Sequence, residues 1–209
     1  MGFFKRIFGS GDEKETKRAE ESVEKIATGE VDKIYPILKP GDWVGLKYGA
    51  IKQVLIGTEE SPELVIGYGY DAPGNFVFLT HDMLKDKTTA GVFEEAIRNL
   101  EAFNVPVEEV LDGKMITCAG ADFSSEKILC KEFMLGLHKR LGAAELLVSI
   151  PRRTTMLVTS RQNDKELLNK FIYLHSHTWH DDSFGNAPIA NLLFVVIDGE
   201  INGVIRLEK

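Results

Sequence analysis

"ELVIGYGYDAPGNFVFLT", residues 63–80, decides the fold class. Two apolar, aromatic-rich runs flank APGN at 72–75, where Pro-Gly and Gly-Asn both favour a tight reversal. Strands joined by so short a turn are antiparallel. Upstream, IKQVLIG (51–57) is a further strand candidate, set off by the turn TEESP. The three runs read as a small antiparallel meander. Before them, YPILKPGDW (35–43) carries Pro36, Pro40 and Gly41 and is extended rather than helical.

After Thr88 the period changes. Val92, Phe93, Ala96, Ile97 and Leu100 recur at helical spacing, with Thr88 or Thr89 as cap. KMITCAG (114–120) is a short strand. ADFSSEKILCKEFMLGLHKRLG (121–142) reads as a helix capped by Asp122 and ended by Gly142. AELLVSIP and TTMLVTS are strands joined at Pro151-Arg152-Arg153, and DKELLNKFIYLHSH is a helix. LLFVVIDGEINGVIRLE closes the chain as a hairpin about Asp198-Gly199. Hairpins alternating with helices predict an α+β fold, with an antiparallel or mixed sheet covered by helices on one face. A doubly wound fold needs parallel strands joined by helices throughout, and this is not that pattern. The expected organisation is an extension over 1–32 and a single α+β domain over 33–209. Within that domain a meander spans about 34–87 and a helix and hairpin core about 88–209.

The first residues differ from the rest. On a helix Phe3, Phe4, Ile7 and Phe8 share one face, with Lys5 and Arg6 turned away. Such a foot offers a peripheral membrane contact or a protein contact, self-association included. Residues 11–30 are charged and rich in helix formers, with only Ala19, Val23, Ile26 and Ala27 as an apolar stripe. They read as a solvent-exposed helix closing near Gly29.

Composition bounds the rest. The 209 residues are 44% apolar and 27% charged, as in ordinary globular proteins, and the net charge is −7. An acidic chain without a basic stripe argues against general nucleic-acid binding. Cys118 and Cys130 form no CxxC pair and fit a reducing cytoplasm. No apolar run approaches the roughly 20 residues of a membrane-spanning helix, and no secretory signal is expected.

Several motifs in order carry a resemblance: IYPILKP (34–40), VIGYGYDAPGNFVFLTHDML (65–84), AIRNLEAFNV (96–105), SSEKIL (124–129), VSIPRRTTMLV (148–158) and PIANLLFVVIDGEI (188–201). With this order and spacing, residues 33 to 209 resemble the YtpQ-like family of bacterial proteins. The resemblance implies a cytoplasmic fold unit. It brings no established activity, cofactor or catalytic residue.

The densest chemistry is HSHTWHDDSF (175–184), which holds three of the five histidines and two adjacent aspartates. On a helix that runs through Asp181, His177 lies one turn from His180 and Asp181, a spacing that supplies metal ligands. His175, His177, His180 and Asp181 are the candidate metal set, with His81 or His138 as a further donor. The competing reading is a polar helix end, since histidines there interact favourably with the dipole. Arg152 and Arg153 are a candidate anion site, because paired guanidinium groups grip phosphate or carboxylate. Cys118 precedes a helix start but has no neighbouring base, so a buried thiol is expected. GYGYDAPGN lacks the spacing of either phosphate loop and reads as a turn whose aromatics lie on the sheet face.

No catalytic constellation is complete. The sequence therefore predicts a non-enzymatic binding or adaptor module with a protein partner, its sheet face or the foot making the contact, and no cofactor. The alternative is a metal-dependent hydrolase using His177, His180 and Asp181, with Asp182 or another acid as base.

Overall fold

The computed structural model describes residues 13–84, 87–184 and 186–207. Phe3, Phe4, Ile7 and Phe8 lie outside them. The fold is α+β with antiparallel sheets, in two compact units, Met1–Asn99 and Leu100–Lys209.

The N-terminal unit contains α1 (Glu13–Ala27), β1 (Ile34–Pro40), a 3-10 turn (Val44–Tyr48), β2 (Lys52–Gly57), β3 (Pro62–Ala72) and β4 (Asn75–Phe78). A second 3-10 turn (His81–Met83) and most of α2 (Thr89–Ala102) complete it. β3 is the central strand. β1 runs along one side of it, from Ile34 opposite Tyr70 to Pro40 opposite Leu64. β2 and β4 share the other side end to end, Lys52 facing Gly67 and Phe78 facing Gly69. The Pro-rich segment is thus a strand, tolerated because it lies at a sheet edge. Ala72 pairs with Asn75 across Pro73-Gly74, and Gly74 takes a positive φ of 73° that this turn requires.

Alternation along β3 gives its sheet two unlike faces. Leu64, Ile66 and Tyr68 share one, where the Tyr68 ring stacks on Phe93 of α2 at 4.4 Å. Thr88 caps α2, its Oγ1 accepting from the Gly91 N–H at 3.1 Å. On the other face Val65 is fully buried, while Gly67 and Gly69 carry no side chain and are covered by neighbouring rings. α1 packs on β3 and β4, burying Ala19 and Ser22. This corrects the expectation of a solvent-exposed helix: Ala19 of its apolar stripe is buried. Ser22 is buried at little cost because its Oγ donates to the Arg18 carbonyl at 2.8 Å.

The C-terminal unit contains β5 (Glu108–Val110), β6 (Met115–Ala119), a 3-10 turn (Glu126–Leu129), α3 (Lys131–Leu141), β7 (Glu145–Ser149), β8 (Thr155–Ser160) and α4 (Lys165–His180). A further 3-10 turn (Asp182–Phe184), β9 (Leu192–Ile197) and β10 (Glu200–Arg206) follow. Its sheet has the order β10-β9-β7-β8-β6-β5, every neighbouring pair antiparallel. Met115, Leu147, Leu157, Leu193 and Val195 form one core with Phe171 of α4. The alternate set, Ile116, Val148, Val158, Phe194 and Val196, is also fully buried, and α3 packs against β8. Both faces of this sheet are covered, not one, as continuous runs such as LLFVVI require.

The helix expected from Asp122 begins only at Lys131. Phe123 has a positive φ of 61°, which turns the chain, and Cys130 is extended, which separates the 3-10 turn from α3. Gly142 ends α3 in the left-handed region as expected.

Candidate functional site

The HSHTWHDDSF stretch is the last turn of α4 and the loop beyond it. Asp164 starts this helix by accepting from the Leu167 N–H at 2.9 Å, and Asp181 is its C-cap. Tyr173, Ser176, His177, His180 and Asp181 line one shallow, open hollow of about 290 Å³. His180 donates its Nδ1–H to the Ser176 carbonyl at 2.8 Å. Asp181 accepts from the Ser183 N–H at 2.9 Å, and the Ser183 contacts hold its carboxyl below the usual range. Among the described residues no group of three or more His, Cys, Asp and Glu side chains is placed to hold a metal ion.

His175 does not join this group. It is fully buried, with Nδ1 2.9 Å from Ser149 Oγ and Nε2 3.2 Å from Asn191 Oδ1. The Asn191 oxygen can only accept, so Nε2 carries the proton and Nδ1 accepts from Ser149. Burial lowers the His175 pKa. The connectivity is that of a Ser-His-Asn relay, yet Ser149 and His175 have no exposed surface for a substrate to reach. The relay ties β7, α4 and the start of β9 together. Sequence reasoning missed it because its members are 26 and 16 residues apart.

Arg152 is also turned inward. Nε donates to the Thr178 carbonyl, Nη1 to the Asn186 carbonyl, and Nη2 to the Trp179 carbonyl and Asp182 Oδ1, all at 2.7–2.8 Å. It thereby satisfies carbonyls at the C-terminus of α4, where a cation is favoured. Arg153 lies at the surface, 4.0 Å from Asp122. The two guanidinium groups thus serve separate internal contacts. Lys127 does for the turn ending at Ala102 what Arg152 does for α4. It is buried, donates to the Leu100 and Glu101 carbonyls at 2.7 and 3.3 Å, and lies 5.3 Å from the Phe133 ring centre. Cys118 and Cys130 are buried thiols pushed up to about 11 by desolvation, the opposite of an activated nucleophile.

The better-formed site is in the N-terminal unit, on the glycine face of its sheet. A hollow of about 320 Å³ is walled by Ala19 and Val23 of α1, by Trp43, Val44 and Tyr48 at the first 3-10 turn, and by Asn75–Phe78. Ala50, Thr80 and Met83 also line it. The Trp43 and Phe78 rings lie 4.3 Å apart at 50°, and Phe76 meets Phe78 edge-on at 4.9 Å. The glycines make room for these rings. A Cβ on Gly67 would come within 3.2 Å of both Phe78 and Trp43, and one on Gly45 within 2.1 Å of Trp43. Thr80 Oγ1 is the one buried side-chain polar atom, among the described residues, without a hydrogen-bond partner. At the mouth Val44 and Tyr48 are 56% and 42% exposed.

The sequence held a signal for this hollow in GYGY, whose period of two gives one strand face to glycine and the other to tyrosine. That alternation was masked by the turn reading of the same residues. No helix among the described residues is long and apolar enough to cross a membrane. The chain matches no family model, no curated protein sequence and no solved structure.

Proposed function

We propose that the chain is a non-enzymatic binding module whose binding element is the aromatic hollow of the N-terminal unit. The observation that carries this reading is the hollow itself: about 320 Å³, walled by Trp43, Phe76 and Phe78 and held open by glycines beneath the rings. Pockets of this size, mostly apolar with few polar groups, are the usual seat of small ligands. The groups that carry chemistry elsewhere are bonded to one another, as in Ser149-His175-Asn191 and around Arg152.

Benzene tests the reading without regard to finer chemistry, because apolar hollows take it up. Saturating benzene should raise the melting temperature of the native chain. It should not raise that of Ala50→Phe, whose ring fills the space. No shift in the native chain would sink the reading.

Phe3, Phe4, Ile7 and Phe8 are a second contact in this account, with a partner protein, a second copy or a membrane surface. Deleting residues 1–11 should reduce recovery on vesicles or partner and leave benzene stabilisation intact. Unchanged recovery would remove the foot from the account. A cytoplasmic setting is part of this proposal, supported by the resemblance of the motifs over residues 33–209 to YtpQ-like proteins.

A metal-dependent hydrolase is the second reading, favoured by His177, His180 and Asp181 lining one hollow. Its signature is roughly one tightly held divalent ion per chain, lost in His177→Ala.

A further inference from the structure

Building on the binding reading above, we infer that the hollow's ligand is a small neutral aromatic molecule of one or two fused rings. Charge is the first argument. Among the described residues no charged side chain lines the hollow, whose side-chain polar groups are those of Asn75, Thr80, Tyr48 and Trp43. An ionised group drawn inside would lose its hydration and meet no charge on the lining side chains; the nearest described ammonium, that of Lys39, stands behind the wall rings, 5.7 Å from the Trp43 ring centre and 5.4 Å from that of Phe78.

Size is the second. About 320 Å³ is at the small end of ligand pockets, which run from about 300 to about 1,000 Å³. The guest is therefore a small molecule. A protein interface needs roughly 800 Å² from each partner. The exposed apolar rim here consists of Val44 and Tyr48, which suits a free small molecule better than a docked protein.

Shape is the third. Aromatic rings prefer offset or edge-to-face partners. Trp43 and Phe76 are tilted 50° and 61° to Phe78, so the walls present both faces and edges to a flat guest. The rings are held in place by close contact with Gly45, Gly67 and Gly69, so little order is lost on binding.

The test is 19F NMR of 5-fluoroindole with the full chain, with indole, 1-octanol and indole-3-acetate as competitors. 5-Fluoroindole should bind one site with a dissociation constant on the order of 10⁻⁴ M, the range open to guests of this size. Indole should displace it, and the other two should compete at least tenfold more weakly. Ala50→Phe and Val23→Phe fill the hollow from two different walls, so one folded variant suffices. Each should weaken binding at least tenfold, while His177→Ala should leave it unchanged. Octanol competing as well as indole would overturn the aromatic class and leave the binding reading standing. Indole-3-acetate competing equally would overturn neutrality in the same way. Binding retained in the filled variants would overturn the location. No binding by any of these, with benzene also without effect, would overturn the inference and the binding reading together.

Discussion

The two sheets are built from similar apolar strands and end differently. In the C-terminal sheet both alternating sets of side chains are large and buried, Leu147 and Leu193 on one face, Val148 and Phe194 on the other. In the N-terminal sheet one face is filled by Leu64, Ile66 and Tyr68, and the other is shaved to glycine at Gly67 and Gly69. Where β-branched and aromatic residues fill both faces, the sheet is a scaffold. Where glycine leaves space, rings from neighbouring segments lean over the backbone and a hollow remains. The difference lies in two positions of one strand, and it separates a filled sheet face from one that carries a hollow.

The sharpest way to break this comparison is to truncate one phenylalanine in each sheet. Phe194→Ala should cost about 3–5 kcal/mol, because a fully buried ring leaves a cavity. Phe76→Ala should cost about 1–2 kcal/mol, since its ring already borders open space. Urea unfolding measures both, and equal costs would mean that the hollow is not there. Gly69→Ala should follow at about 2–3 kcal/mol, because its Cβ would lie 2.4 Å from the Val77 carbonyl oxygen. A neutral result would show that β4 has room to move away.

His175 gives the scaffold a pH dependence. Burial makes the folded imidazole harder to protonate than the unfolded one, whose pKa is about 6.5. The unfolded chain therefore binds the extra proton first as pH falls. Stability is full above about pH 6.5 and declines below it, by up to about 1.4 kcal/mol per pH unit, until the folded imidazole also protonates. His175→Gln should flatten that decline, as read by unfolding curves between about pH 7 and 5. The smallest expected effect is Thr80→Val, which should stabilise the free chain by about 1 kcal/mol by removing an unpaired buried hydroxyl. A loss of stability would mean that Thr80 has a partner after all.

What was legible in the sequence was what neighbours dictate to neighbours. Pro73-Gly74 and Asp198-Gly199 announced their hairpins, Gly142 ended its helix, and the period of Val92, Phe93 and Ala96 marked α2. The start of α3 was not legible, since ADFSSEKIL has helical composition. The buried contacts of Ser124, Ser125 and Lys127 and the left-handed Phe123 override it. The edge strand EEV (108–110) was too short and too polar to stand out. At the histidine end, local spacing sets His177, His180 and Asp181 about one turn apart, and they line one hollow. It could not reveal that His175 turns inward to Ser149 or that Arg152 serves the end of α4, because those partners are distant in sequence. The aromatic hollow depends on residues from Ala19 to Met83 meeting, and no single motif spells it.

The central claim is that ligands enter the glycine face of the N-terminal sheet rather than the histidine end of α4. Amide and indole N–H shifts of the 15N-labelled chain, recorded while indole is added, test it most directly. Changes are expected at the Trp43 indole, Gly45, Gly67, Gly69 and residues 75–80. Changes centred on Tyr173, Ser176, His177 and Asp181, or none at saturating indole, would contradict it.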